Sequence, residues 1–181
     1  MDILNFYYID LKYIRNLSRA DDNVMSISPQ LGKEKRPFLG IIILIDGQKY
    51  CIPLSSPKKK FQDMKSQVDF IKIFDHNNKH LEYSSKIIGI LNLNNMIPVN
   101  DSVISKVNLK LNHHDTPDTT KRKILMQKQL SWCREHSDTI INRANKVYSL
   151  TTYFPDKNRR LTSRCVNFNK LEQVLTQYSH T

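Results

Sequence analysis

A chain of 181 residues, 39% hydrophobic and 25% charged, has the composition of one folded soluble domain with a single buried core. Its 28 Lys and Arg against 17 Asp and Glu leave a net charge of +11, a surplus that points to a polyanionic partner, because each phosphate contact releases condensed counterions. The longest apolar run, Ile41 to Ile45, has strand length and falls far short of the ~20 residues of a membrane span.

Other features narrow the setting. The opening Met-Asp-Ile-Leu-Asn-Phe-Tyr-Tyr carries an early acid and no basic region ahead of an apolar one, so it does not read as a signal peptide. Cys51, Cys133 and Cys165 are odd in number and dispersed, which fits buried thiols in a reducing cytoplasm better than a disulfide framework. No cysteine pair has metal-ligand spacing, and His113-His114 lack a helpful Cys or carboxylate, so neither a metal nor another cofactor is expected.

In chain order, Phe6 to Ile9 reads as a strand, and Asp10 caps a short helix from Leu11 to Leu17. Ser18 to Arg36 is polar, lacks periodicity and reads as a long loop. Phe38 to Ile45, Asp46-Gly47 and Gln48 to Leu54 form a β-hairpin by their turn chemistry. Because Phe38 to Ile45 is apolar at nearly every position, burial on both faces is expected. Ser55-Ser56-Pro57 then turns the chain into Lys58-Lys59-Lys60.

Asp69 to Phe74 and Ile87 to Leu93 read as further strands, separated by a polar loop holding His76, Asn77, Asn78 and His80. Met96 to Val99 continues the sheet to an edge, since Pro98 cannot donate to a ladder. Beyond His113, Asp115 or Thr116 caps a helix with Pro117 in its first turn. Met126, Leu130, Cys133, Ile140, Ala144 and Val147 form one apolar stripe, on one bent helix or on two, the second capped by Ser137-Asp138. Asn167 to Tyr178 closes the chain as an amphipathic helix. The expected fold is one α+β domain over residues 1–181: a strongly bent antiparallel sheet, half a barrel, packed against C-terminal helices.

Several chemistries are absent from the sequence. Four glycines form no phosphate-cradling loop, no serine sits in a nucleophile elbow, and no carboxylates cluster as a two-metal nuclease requires. RNA can be cut without metal, because its 2′-hydroxyl is an internal nucleophile beside the scissile phosphorus. Ser55-Ser56-Pro57-Lys58 offers two hydroxyls and an ammonium within four residues at the end of a hairpin. Composition alone reads the same segment as an ordinary turn before a solvated basic run. A non-catalytic RNA-binding module therefore stands as the alternative, and a DNA-binding repressor as a weaker third.

Three segments resemble the ToxN/AbiQ family of type III toxin–antitoxin endoribonucleases. They are Phe6-Tyr7-Tyr8-Ile9-Asp10-Leu11-Lys12-Tyr13-Ile14, then Arg36-Pro37-Phe38-Leu39-Gly40 through Asp46-Gly47-Gln48-Lys49-Tyr50 to Ile52-Pro53-Leu54-Ser55-Ser56-Pro57-Lys58, and Leu91-Asn92-Leu93-Asn94-Asn95-Met96-Ile97-Pro98-Val99. Lys121 to Leu130 and Ser137-Asp138 also match, and the order is the same along nearly the whole chain. The resemblance implies a fold related to the MazF/CcdB-like toxins and a cytoplasmic bacterial enzyme. It implies RNA cleavage by 2′-hydroxyl attack, leaving a 2′,3′-cyclic phosphate and a 5′-hydroxyl. It also implies inhibition by a small repeated pseudoknot RNA that the toxin processes, a closed ring of alternating protein and RNA, and a role in growth arrest or abortive infection against phage.

Carried over residue by residue, the family's catalytic tyrosine falls on Tyr13, its hydroxyl pair on Ser55 and Ser56, its lysine on Lys58 and its RNA-contacting methionine on Met96. A second family cation falls on Arg36, a position that is lysine in the family member aligned to it; arginine keeps the charge but can only clamp phosphate. A loop tyrosine of the family aligns near Gly32, and this chain has none between Ser18 and Arg36. Lys33, Lys35, Lys59, Lys60, Lys121, Arg122 and Lys123 are the candidate groove for an antitoxin RNA.

Overall fold

The computed structural model describes residues 4–25, 38–65, 67–75 and 86–179. Strand β1 (Phe6–Ile9) leads into α1 (Leu11–Ala20), whose N-cap is Asp10: its carboxylate accepts from the Tyr13 backbone N–H at 2.7 Å. The helix runs three residues past Leu17 before Asp21 closes it. Tyr13, Ile14 and Leu17, at helical spacing, are its buried face.

β2 (Phe38–Ile45) and β3 (Gln48–Ser55) form the hairpin that the turn residues predict. Asp46 and Gly47 both take positive φ, 49° and 81°, which is the primed turn that matches strand twist. The expected burial on both faces of β2 does not hold. Ile41, Ile43 and Ile45 are buried, but Leu44 is 61% exposed. In an antiparallel sheet covered by helices, only one side of this strand needs an apolar partner. Gly40 marks a close approach in the same hairpin: a Cβ there would lie 2.2 Å from the Ile52 carbonyl oxygen and 2.5 Å from Cys51 Sγ.

β4 (Phe70–Phe74) and β5 (Ile87–Asn92) pair antiparallel, with an irregularity after Ile73. The Ile88 carbonyl near it is satisfied by buried Gln129, whose side-chain amide donates to it at 2.7 Å. A 3₁₀ turn (Leu93–Asn95) leads to β6 (Ile97–Pro98), which meets β3 at Tyr50 and Cys51, and β7 (Ile104–Lys106) pairs β1. Among the described residues the result is a seven-stranded antiparallel sheet in the order β4-β5-β3-β2-β1-β7, with β6 beside β3. It stays open, since its end strands β4 and β7 do not pair. The expected α+β class with a sheet short of a full barrel is what the molecule adopts.

The C-terminal stripe lies on two helices, α3 (Pro117–Glu135) and α4 (Ser137–Thr152). The break is at His136, with φ −112° and ψ 21°, and no side chain caps α4, so Ser137-Asp138 lie inside its first turn instead of capping it. Thr116 is the cap of α3, accepting from the Thr119 backbone N–H. A one-turn helix, α2, covers Lys60–Asp63, and another, α5, covers Arg159–Thr162. The last helix, α6 (Phe168–Ser179), buries Phe168, Leu171 and Leu175. Its Glu172 accepts hydrogen bonds from the hydroxyls of Tyr50 on β3 and Tyr148 on α4, tying both to the helix. One core cluster reaches from β1 to α6, which is why the chain folds as one body. Among the described residues no helix is long and apolar enough to cross a membrane.

Candidate active site

β3 is the hub of the sheet, and its C-terminal end is where the candidate chemistry gathers. On one side β3 pairs with β2; on the other it pairs with β6 at Tyr50 and Cys51 and with β5 at Leu54 and Ser55. Pro53, which has no N–H to donate, falls in the gap between those two partners. Ser55 is thus the last residue that the sheet holds. Its Oγ accepts a hydrogen bond from the Asn92 side-chain amide on β5 at 3.0 Å.

Ser56, Pro57 and Lys58 leave the sheet and are exposed. The residues just beyond them keep this segment from drifting. The Phe61 N–H donates to the Lys58 carbonyl at 2.9 Å, and the Gln62 N–H donates to that of Lys59. Phe61 is buried against Phe70, ring centroids 5.2 Å apart, in a small apolar cluster that also holds Ile90. The two serine hydroxyls and the Lys58 ammonium therefore share one short stretch, anchored by the sheet before it and an aromatic plug after it. Among the described residues no carboxylate pairs with Lys58.

The structure does not bring Tyr13 to this cluster. The side chain is fully buried, and its hydroxyl donates to the Pro98 carbonyl at 2.7 Å. Pro98 is in register with Tyr50, which at ~3.3 Å per residue lies roughly 17 Å along β3 from Ser55. Burial pushes the phenol well above its ordinary range, with Tyr178, its ring tilted against Tyr13 at 5.2 Å, adding to the effect. Such a group holds its proton and supports the core. Tyr13→Phe should lower stability by about 1–3 kcal/mol, the cost of a buried carbonyl left without its donor. A thermal melt checks this, and RNA cleavage assayed well below the midpoint should stay within a few fold of the parent rate.

Met96 is also fully buried, so its side chain presents no surface to RNA. The first loop's Lys33, Lys35 and Arg36 lie outside the described residues, as do His76, Asn77, Asn78 and His80. Lys59 is exposed beside Lys58, and Lys60 opens α2. On α3, Lys121 and Arg122 are exposed, but Lys123 is engaged: its ammonium bonds Asp115 at 2.8 Å and the Lys110 carbonyl at 2.9 Å. The Lys123 ammonium, with a hydrogen bond donated by the Asn112 backbone N–H, holds the Asp115 carboxyl below its usual range. Lys123 serves the loop before α3 and is not offered to an external phosphate.

Asn92 is the site residue that sequence reasoning missed. The resemblance quotes it within a motif, but only the pairing of β3 with β5 shows that it faces Ser55. A groove of about 520 Å³ lies elsewhere, between β1, the segment after β7 and α3, lined by Phe6, Lys106, Leu109, Gln127, Leu130 and Arg134 among others. It holds none of the Ser55–Lys58 cluster. A polymeric phosphodiester does not need an enclosed pocket, and the open end of β3 fits such a substrate better than this groove does. Among the described residues no three His, Cys, Asp or Glu side chains converge as a metal site would require.

An exposed cation beside two hydroxyls, on a basic protein with an open antiparallel sheet, is an arrangement suited to a phosphodiester ligand. The model of the family described as ToxN toxin, type III toxin–antitoxin system, matches residues 5–176, and the chain belongs to that family. It is 31% identical over 176 residues to the endoribonuclease ToxN of Bacillus thuringiensis subsp. kurstaki, covering 96% of this chain and 83% of the relative. It is likewise 31% identical over 171 residues to the endoribonuclease ToxN of Pectobacterium atrosepticum, covering 94% and 91%. A solved structure from work on type III toxins and their selective inhibition by a non-coding RNA pseudoknot superposes with a TM-score of 0.80. That likeness has 27% identity and covers 99% of this chain and all of the other.

Proposed function

We propose that this chain is the endoribonuclease toxin of a bacterial type III toxin–antitoxin pair, with its catalytic centre at Ser55, Ser56 and Lys58. The observation that carries this reading is the anchored hydroxyl–ammonium cluster at the end of β3, in a chain whose curated relatives are endoribonucleases. In the reaction the RNA 2′-oxygen attacks the adjacent phosphorus. The O2′–P bond forms, the P–O5′ bond breaks, one proton leaves the 2′-oxygen and one reaches the departing 5′-oxygen. Lys58 sits against the non-bridging oxygens, where negative charge builds in the phosphorane, and a positioned cation there lowers the barrier. Ser55 and Ser56 hydrogen-bond the same phosphoryl group and fix it in line.

Lys59, Lys121 and Arg122 extend the cationic surface along which RNA runs. The inhibitor is a folded small RNA held on that surface, processed by the toxin and joined with it in a ring, and the cytoplasm is where both would meet. The support for an RNA inhibitor is the pseudoknot-inhibited toxin that shares this fold. The test is to incubate the purified chain with mixed-sequence RNA in excess EDTA and to analyse the new ends. Cyclic phosphates and 5′-hydroxyls are expected. RNA that is retained by the protein but stays intact would instead favour a binding module without turnover.

A further inference from the structure

The Asn92 side chain reaches three acceptors, two on β3 and one on its own strand β5. Its Nδ2 lies 3.0 Å from Ser55 Oγ, 3.3 Å from the Pro53 carbonyl and 3.5 Å from the Ile90 carbonyl. Two of these are carbonyl oxygens, which can only accept, so the nitrogen and not the oxygen of the amide must face this way. A primary amide nitrogen can only donate. Ser55 Oγ therefore receives a hydrogen bond from Asn92 and cannot return its own proton along the same line. Among the described residues nothing accepts that proton. Ser55 is half-buried at the last paired position of β3, with the exposed Ser56–Lys58 segment next to it.

We infer that Asn92 is a positioning residue that fixes Ser55 as a hydrogen-bond donor to the scissile phosphoryl group. This rests on the proposed active site and adds a direction to it. The amide occupies one of the two acceptor lone pairs of Ser55 and leaves its proton directed away from Asn92, which favours this hydroxyl as a donor over a role as the base that takes the 2′-proton. A hydroxyl that accepts one hydrogen bond is also polarised to donate a stronger one. The substrate's non-bridging oxygen is the acceptor that completes the chain from Asn92 through Ser55.

The experiment compares Asn92→Ala, Asn92→Asp, Ser55→Ala and the double variant Ser55→Ala/Asn92→Ala in single-turnover RNA cleavage. Thermal melts accompany each, because Asn92 also ties two strands. Asn92→Ala should slow the chemical step roughly 10-fold, as expected for loss of one aligned hydrogen bond, with RNA affinity unchanged. In the Ser55→Ala background the same change should have no further effect. Asn92→Asp is nearly isosteric and supplies the decisive readout. Its carboxylate accepts the Ser55 proton and turns the hydroxyl away, whereas its protonated form can donate as the amide does. Its rate relative to the parent should therefore rise as pH falls. Additive effects of Asn92→Ala and Ser55→Ala, or a parental pH profile for Asn92→Asp, would overturn the inference. Full activity in both Ser55→Ala and Lys58→Ala would instead remove the active-site reading beneath it.

Discussion

Lys58→Ala is expected to cut RNA about 10²–10³-fold more slowly than the parent, the usual loss when one preorganised group that stabilises transition-state charge is removed. The prediction comes from placement. Lys58 is exposed, the chain around it is anchored by Ser55 before and Phe61 after, and among the described residues no carboxylate neutralises it. The fold does not depend on its side chain, so the melting temperature should be unchanged. RNA binding should weaken by far less than the rate, since one surface cation among many carries little of the total affinity. A kinetic split of that kind, measured by single-turnover cleavage and filter binding on the same preparation, is the signature of a catalytic lysine. An equal loss in both would mark Lys58 as one more binding cation. Lys58→Arg should restore charge without the compact ammonium and recover only part of the rate.

Gly40→Ala should be among the most damaging single-methyl changes in this molecule. The added carbon would meet the Ile52 carbonyl oxygen at 2.2 Å and Cys51 Sγ at 2.5 Å. Both belong to β3, which is paired on each side and cannot back away. Overpacking in a fixed site costs about 1–3 kcal/mol and sometimes more, a large part of the ~5–15 kcal/mol by which an ordinary domain is stable. Chemical denaturation should show the midpoint falling with the slope preserved. An alanine variant as stable as the parent would mean that β2 and β3 can separate there without penalty.

Much of this fold is legible in the sequence because its signals are local. Asp46-Gly47 demands positive φ twice, and the hairpin is the result. The stripe from Met126 to Val147 fixes the buried face of two helices, although their junction at His136 carries neither Gly nor Pro, so the sequence leaves one bent helix or two open. Three-residue β7 and the one-turn α2 and α5 are too short to show a period. The burial of β2 is not legible, because continuous apolar residues do not say whether a second layer covers the far face; Leu44 shows that here it does not.

The candidate site divides in the same way. Ser55, Ser56 and Lys58 are contiguous, so sequence alone can group them. Asn92 is 37 positions further on and joins them only through strand register. Tyr13 and Met96 are placed at the site by family resemblance, but whether a side chain faces solvent or core is a tertiary fact, and both are fully buried.

The position of Ser55 at the end of an inner strand has a consequence for how the enzyme fails. Strands paired on both flanks lose their hydrogen bonds only when the domain opens globally, while a connection beyond the last pairing opens in smaller excursions. Backbone amides of Tyr50, Cys51, Ile52 and Leu54 should therefore belong to the slowest-exchanging class, and those of Ser56, Lys58 and Lys59 to a faster one. Ser55 is thus as durable as the whole domain, while Ser56 to Lys58 are held only by the sheet before them and the Phe61 contact after them.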